Sequence, residues 1–116
     1  MRIEILESNK GLLSRCFMEG EESIGCASDF LDLMASCPST TIVLDKNALA
    51  ADFFKLRSGL AGEILQKVSN YRRRLRILGD YAGVESPALR DCIRESNRTG
   101  QVVFAADVAQ GVQLLR

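Results

Sequence analysis

The sequence predicts a single α/β domain with a mainly parallel sheet of about five strands, an N-terminal β-hairpin and about four helices. Its length of 116 residues is that of one domain. Short apolar runs alternate with amphipathic helical segments, an order that favours right-handed crossovers between parallel strands. We therefore treat residues 1–116 as one folded unit.

A β-hairpin is predicted at the start of the chain. Residues 2–7 alternate between polar and apolar side chains, which is typical of a half-buried strand. Residues 9–11 are Asn, Lys and Gly, and Gly11 tolerates the positive φ that a tight turn requires. Residues 12–18 then form the second strand of the hairpin.

The next segment has the pattern of an amphipathic helix. Ser23 is a suitable N-cap, and apolar residues then recur at helical spacing as far as Met34. Asp29 and Asp32 lie on the opposite face of this helix. Pro38 ends it, because the residue before a proline avoids the helical region.

Two short apolar runs have the composition of strands buried on both faces of a parallel sheet. They are Thr41–Asp45 and residues 75–80, and each ends in an aspartate. Residues 46–56 between them are expected to be irregular or briefly helical. A long helix then begins near Ser58, and its last turn merges into the second strand. Its apolar positions are Leu60, Ile64, Leu65, Val68 and Leu75.

The last third of the chain predicts a helix, a strand and a final helix. Ser86 caps the first helix, and Pro87 at its first position removes no donor that the helix needs. Gly100 ends that helix, and residues 101–106 form the last strand. Asp107, with a glutamine three residues later, resembles a capping box for a helix that carries Val108, Val112 and Leu115.

The residue types exclude several kinds of site. The chain has no His, so a Cys–His catalytic pair and a histidine base are both ruled out. Its four Cys form no C-x-x-C pair and lack zinc-ligand spacing, so we predict reduced thiols, no metal and a cytoplasmic location. No apolar run approaches the roughly 20 residues that span a bilayer. We predict no cofactor, no catalytic residue and no membrane partner.

The net charge of zero conceals an asymmetry. Residues 1–54 carry four Lys/Arg against nine Asp/Glu, and residues 55–116 carry eleven against six, which gives −5 and +5. Either helical solvent faces are unevenly charged, or the molecule is polarised for self-association or for a charged partner. The arginines at 72–76 do not share one face at helical spacing, so nucleic acid is not an expected partner. A homodimer that covers a free sheet edge is expected.

Two aspartates are candidate ligand-binding residues. Asp45 and Asp80 follow predicted strands, and ligands of open α/β sheets gather at the carboxyl ends of strands. The pair either binds a divalent cation, a phosphate or another small ligand, or simply begins two polar loops. Both interpretations are compatible with the sequence.

The start of the long helix is the second candidate site. Small residues at Ser58 and Gly59 allow close approach, and free amides at a helix start favour an anion. Ser58 is either a phosphoacceptor or a helix cap that contributes about 1 kcal/mol. Arg57 would lie close to a phosphate on Ser58.

The loop before this helix carries an acidic residue and two aromatic residues, Asp52, Phe53 and Phe54. The two phenylalanines either form a plug that closes the end of the sheet or anchor a partner from an exposed position. The plug is the commoner arrangement for such a pair.

The central sequence resembles a family of small bacterial proteins catalogued as a domain of unknown function. The resemblance is strongest over residues 42–46 and 52–72 and extends more weakly over nearly the whole chain. Further matching motifs are Gly79-Asp80, Leu89-Arg90-Asp91 and Glu95-Ser96-Asn97.

A more distant resemblance is to the STAS-like group, which includes the anti-sigma-factor antagonists. In that group a strand ends in Leu-Asp, and a helix begins with Asp-Ser-Ser-Gly-Leu, whose second Ser is the phosphorylated switch residue. Asp45 matches the strand end, and residues 58–60 match Ser-Gly-Leu. The loop is longer here, and Leu56 and Arg57 replace the preceding Asp-Ser. The resemblance implies a STAS-like fold and places the phosphoacceptor at Ser58.

We therefore expect a non-enzymatic regulatory module of the bacterial cytoplasm that binds another protein through residues 52–62. The alternative is a domain that binds a small ligand, phosphate or divalent cation near Asp45 and Asp80, with or without enzymatic activity.

Overall fold

The computed structural model describes residues 1–20, 22–55 and 58–113. Five strands and four α-helices lie within these ranges. The strands are β1 (Arg2–Ser8), β2 (Gly11–Phe17), β3 (Thr41–Asp45), β4 (Arg74–Leu78) and β5 (Val102–Ala105). The helices are α1 (Ala27–Ser36), α2 (Leu60–Asn70), α3 (Pro87–Thr99) and α4 (Val108–Gln113).

The five strands form one mixed, mostly parallel sheet in the order β1-β2-β3-β4-β5. β1 and β2 pair antiparallel through a turn at Asn9 and Lys10, and Gly11 has a φ of 112°. The other neighbouring strands are parallel. The structure thus confirms the predicted α/β class, the hairpin and the mainly parallel sheet.

One face of the sheet holds the larger part of the core. Phe30 of α1 and Ile64 of α2 are fully buried against side chains from this face, including Ile42 and Ile77. Helical spacing places the apolar side chains of both helices towards the sheet, as their sequence patterns predict. α3 lies beside β5 and has no fully buried residue.

The opposite face carries a smaller apolar cluster and one buried charge. Leu13, Val43 and Val103 are buried there, and Val108 of α4 packs against the cluster. Arg76 alternates along β4 with apolar residues that face the larger core, so its side chain points to this face, where it is 2% exposed. Arg76 Nε donates to the carbonyl of Gly111 in α4, at 3.0 Å.

The prediction that Ser23 caps the first helix is wrong. α1 begins at Ala27, with Cys26 in an extended conformation before it. The neighbouring Ile24 is 2% exposed and forms a bridge with Leu49. This long-range pairing holds the chain extended at a position where local sequence favours a helix.

The helix predicted to begin near Ser58 does so, but it ends earlier than expected. Its N-cap is Gly59, in the left-handed region with a φ of 76°, and its last residue is Asn70. Leu75, predicted both to continue the helical spacing and to begin the strand, lies in β4. Arg72 ends the helical path, because its φ of 54° turns the chain into the strand.

The predicted termini of α3 are confirmed. Ser86 Oγ accepts a hydrogen bond from the backbone N–H of Leu89 at 3.3 Å, and Pro87 occupies the first helical turn. Gly100 follows the helix with a φ of 80°. Both ends therefore follow from local residue preferences.

The predicted cap of α4 is also confirmed. Asp107 Oδ1 accepts from the N–H of Gln110 at 2.9 Å, and Gln110 Oε1 accepts from the N–H of Ala106 at 2.7 Å. The two side chains satisfy amides at the helix start reciprocally, as in a capping box. Leu115, predicted for this helix, lies outside the described residues.

Side chains of α3 occupy the outer edge of β5. Asn97 Nδ2 donates to the carbonyl of Phe104 at 3.1 Å, and Asn97 Oδ1 accepts from the N–H of Phe104 at 2.7 Å. Ser96 Oγ donates to the carbonyl of Val102 at 2.5 Å. These amide and hydroxyl groups replace the backbone of a neighbouring strand.

The four cysteines are free thiols, two in the core and two at the surface. Cys16 and Cys37 are buried, whereas Cys26 and Cys92 are exposed. In the part of the chain that the structure describes, no helix has the length and apolar character needed to cross a bilayer.

Candidate functional site

The structure brings the two predicted strand-end aspartates to one cavity. Asp45 ends β3, and Asp80 follows β4, which lies next to β3 in the sheet. The cavity has a volume of about 520 Å³. It is lined by Asp45, Lys46, Asn47, Leu78, Gly79 and Asp80. The expectation that neighbouring strands would place Asp45 and Asp80 at the same edge therefore agrees with the geometry.

Both carboxylates already have partners within the chain. Arg15 Nη2 donates to Asp45 Oδ1 at 3.2 Å, across from β2. Asp80 Oδ1 accepts from the backbone N–H of Ala82 at 2.9 Å, a local turn bond that fits the loop-start interpretation. Nowhere in the described ranges do three acidic or cysteine side chains cluster closely enough to hold a metal ion.

Lys46 is a residue of this cavity that the sequence analysis missed. Its Nζ donates to the backbone carbonyl of Asp80 at 3.3 Å. The ammonium also lies 5.4 Å from the ring centroid of Phe54 and 5.3 Å from that of Tyr81. These contacts fix a positive charge beside the two aspartates. The available signal was a lysine directly after the acid that ends a buried strand.

An aromatic cluster closes the carboxyl end of the sheet. Phe53 is 2% exposed and packs edge-on against Phe54, with 5.0 Å between ring centroids. Tyr81 packs edge-on against Phe104 at 5.4 Å, and its hydroxyl donates to the carbonyl of Ile77 at 3.0 Å. Burial raises the pKa of Tyr81 above its ordinary value. Burial of Phe53 agrees with the plug interpretation of the two phenylalanines.

Ser58 ties the loop before α2 to the helix start. Its Oγ lies 2.5 Å from the carbonyl oxygen of Asp52 and 2.8 Å from that of Lys55, and it accepts from the N–H of Leu60 at 3.2 Å. Ser58 and Gly59 are both exposed. The hydroxyl therefore stabilises the helix start, as a capping residue would, although it lies one position before the N-cap.

The remaining predicted residues complete this surface. Asp52 is exposed and pairs with Lys55, with 3.5 Å between Oδ1 and Nζ. Phe54, half-buried, contacts both Phe53 and Lys46, so the surface at residues 52–62 adjoins the cavity at the strand ends. Arg57 lies outside the described residues.

Comparison with known proteins identifies the family but no characterised relative. No curated protein and no solved structure matches this chain. The family model described as "Domain of unknown function (DUF4180)" matches residues 10–115, which is nearly the whole sequence. The chain therefore belongs to the DUF4180 family, as its resemblance to a domain of unknown function predicted.

Proposed function

We propose that this domain is a non-enzymatic regulatory module of the bacterial cytoplasm, which binds another protein through residues 52–62. We further propose that phosphorylation of Ser58 controls this binding. The observation that carries the proposal is the position of Ser58, an exposed residue whose hydroxyl is hydrogen-bonded to the loop and to the start of α2. The likeness of residues 58–60 to the Ser-Gly-Leu motif of the STAS-like group supports it.

Phosphorylation would change this surface in two ways. Esterified Oγ has no proton, so the loop carbonyls of Asp52 and Lys55 would lose the hydroxyl donor and keep only the backbone N–H groups of Lys55 and Ser58. The phosphate would also add about −1.5 to −2 charges beside Asp52 and near Glu63 in the first turn of α2. Free amides at the helix start favour that charge, whereas the nearby carboxylates oppose it. The contact between the loop and the helix start would therefore weaken, and a partner would encounter a differently charged surface.

The experiment is a comparison of wild type with Ser58→Asp and Ser58→Ala as baits in native bacterial lysate. Captured proteins are identified by mass spectrometry, and the affinity of each candidate is then measured with purified components. Ser28→Asp is the matched control, because Ser28 is an exposed serine on α1. Lys55→Glu tests whether the loop itself belongs to the binding surface.

We expect a partner whose affinity changes at least about tenfold, or 1.4 kcal/mol, in Ser58→Asp. Ser28→Asp should bind that partner like wild type, and Lys55→Glu should bind it more weakly. Equal binding by Ser58→Asp and wild type would remove the switch. Equal binding by Lys55→Glu would place the interaction elsewhere on the molecule.

Small-ligand binding at the strand ends is the second candidate function. The observation that favours it is the cavity of about 520 Å³, where Lys46 stands beside Asp45 and Asp80. Groups of both charges in one cavity suit a small polar ligand, a phosphate or a cation. A thermal-unfolding screen with nucleotides and divalent cations tests this, and Asp80→Asn should abolish any ligand-induced rise in midpoint. No rise across the screen would reject this second function.

A further inference from the structure

A second cavity lies at the opposite end of the sheet, where β3, β4 and β5 begin. Its volume is about 410 Å³. It is lined by Thr40, Ser69, Arg72, Arg73, Arg74, Thr99, Gly100 and Gln101. Every charged side chain among these residues is an arginine, and the other side chains are hydroxyls and one amide. We propose that this cavity binds a small oxyanion, either inorganic phosphate or the phosphate group of a small molecule.

The positive charge at this cavity has no acidic counterpart in the described ranges. All ion pairs among the described residues lie outside this cavity. Their cationic groups belong to Met1, Arg2, Arg15, Lys55, Arg94 and Arg98. Arg76, buried in β4, hydrogen-bonds only to backbone carbonyls, and two of these belong to the lining residues Gly100 and Gln101. Burial, followed by the positive charge of Arg74, lowers the pKa of Arg76 to about 10. The cavity lining thus carries three guanidinium groups, those of Arg72, Arg73 and Arg74, and no carboxylate.

Helix ends supply only part of the missing negative charge. α1, α2 and α3 all end near this side of the sheet, and Arg73 donates to the carbonyls of Met34 and Cys37 at the end of α1. Each helix end contributes about half a negative charge. Three ends therefore offset between one and two of the three positive charges that line the cavity, and a positive excess remains for a ligand.

Two of the arginines have their guanidinium groups available. Arg73 is held by three backbone carbonyls, including that of Ser39 at 2.9 Å. In contrast, the guanidinium groups of Arg72 and Arg74 form neither a hydrogen bond nor an ion pair with any residue that the structure describes. Planar guanidinium groups bind phosphate oxygens through two parallel N–H bonds. The geometry assigns Arg72 and Arg74 as the ligand-binding pair and Arg73 as a fixed supporting charge.

Arg72 also gives an unusually clean test variant. Its φ of 54° is a conformation that glycine adopts without strain. Arg72→Gly therefore removes the guanidinium while it suits the backbone, so a loss of binding would not be confused with a loss of folding. Arg74→Gln tests the second side chain. Arg94→Gln is the matched control, because Arg94 is exposed on α3 and lies outside the cavity lining.

The experiment is isothermal titration calorimetry with sodium phosphate at constant ionic strength, with sodium chloride as the reference titrant. We expect saturable phosphate binding to wild type and Arg94→Gln. Arg72→Gly and Arg74→Gln should each bind about tenfold more weakly, because each loses a charge-assisted contact. Thermal unfolding without phosphate should show that Arg72→Gly is at least as stable as wild type.

Three results would overturn the proposal. These are the absence of saturable phosphate binding to wild type, an unchanged affinity in Arg72→Gly, and an equal loss in Arg94→Gln. A parallel titration with a single-stranded oligonucleotide separates small anions from nucleic acid. Binding of the oligonucleotide without binding of free phosphate would also reject the small-anion site.

Discussion

The sulfur atoms of Cys16 and Cys37 lie 3.1 Å apart in the core, where they connect the next-to-last residue of β2 to the residue that follows α1. The hydrogen bond from Cys16, assisted by the nearby charge of Arg73, lowers the pKa of Cys37. The same hydrogen bond, followed by burial, raises the pKa of Cys16. Cys37 is therefore the thiol of this pair that ionises first.

We expect mild oxidation to join these two cysteines. Diamide accepts two hydrogens and is reduced to the hydrazine, while the two thiols lose them and form one S–S bond. A disulfide bond is roughly 2.05 Å long, so the sulfurs need to approach by only about 1 Å. A Cys26→Ser, Cys92→Ser variant lacks the exposed thiols, and its intact mass should fall by two hydrogens after diamide treatment.

The position of that bond is checked by peptide mapping without reduction, which should recover a linked Cys16–Cys37 peptide. The same background with Cys37→Ala is the control and should show no intramolecular loss of mass. A double variant that keeps both thiols after prolonged diamide treatment under native conditions would contradict the proximity of the pair.

We expect substitution of Arg76 to lower the free energy of unfolding substantially. Its guanidinium donates to four backbone carbonyls, and it is 2% exposed. Arg76→Met would remove the guanidinium donor from those carbonyls, of which that of Gln101 also accepts the N–H of Leu75. We expect a loss of about 2–4 kcal/mol in the free energy of unfolding. Arg76→Lys should also lose stability, because an ammonium cannot reproduce the planar set of donors. Urea unfolding measures both variants, and a wild-type midpoint for Arg76→Met would contradict the assignment.

Gly79 is required by close packing against Lys46. A Cβ at position 79 would lie 2.8 Å from Lys46 Cβ, closer than two side chains tolerate. We expect Gly79→Ala to lower the free energy of unfolding by about 1–3 kcal/mol. Gly62→Ala is the control, because a Cβ there meets nothing within 4 Å and the helix should gain roughly 0.5–1 kcal/mol. Chemical denaturation of the pair should give shifts of opposite sign, and shifts of the same sign would be inconsistent with this packing.

We expect both the Nδ2 donor and the Oδ1 acceptor of Asn97 to contribute to the free energy of unfolding. Asn97→Ala removes the donor and the acceptor that hold Phe104, and we expect a loss of about 1–3 kcal/mol. Asn97→Asp keeps the acceptor and loses the donor, so its carboxylate would face the carbonyl of Phe104 and stability should also fall. Asn70→Ala, at an exposed position with a hydrogen bond to Gln66, should cost less. Unfolding experiments in which Asn70→Ala lost more free energy of unfolding than Asn97→Ala would contradict this expectation.

The sequence predicted those elements whose determinants are local. The caps of α3 and α4 follow from Ser86 and Asp107, and the buried strands follow from short apolar runs. The predicted helix cap at Ser23 was wrong because the neighbouring Ile24 pairs with Leu49, a long-range contact that no local pattern reveals. Leu75 begins the predicted strand as expected, but its helical spacing also extended the predicted helix beyond Arg72, where the helical path ends.

The candidate sites were predictable only in part, for the same reason. Asp45 and Asp80 share a cavity because their strands are neighbours, which the order of elements implies. Lys46 was not predicted as a site residue, because its contacts come from the folded loop around Tyr81. The arginine-lined cavity was not predicted, because the arginines at positions 72–74 were treated as part of a helix. In the structure they lie at and just before the start of β4.

The side chains that α3 places along β5 also determine at which edge a further strand could pair with the sheet. The carbonyls of Val102 and Phe104 and the N–H of Phe104 are already bonded, so this edge offers few free backbone groups to an incoming strand. β1, at the other edge, is unprotected by such contacts in the described part of the chain, and its Ile5 is 48% exposed. A second molecule that extended the sheet by strand addition would therefore join at β1 and produce a continuous ten-stranded sheet with the two β5 strands at its outer limits.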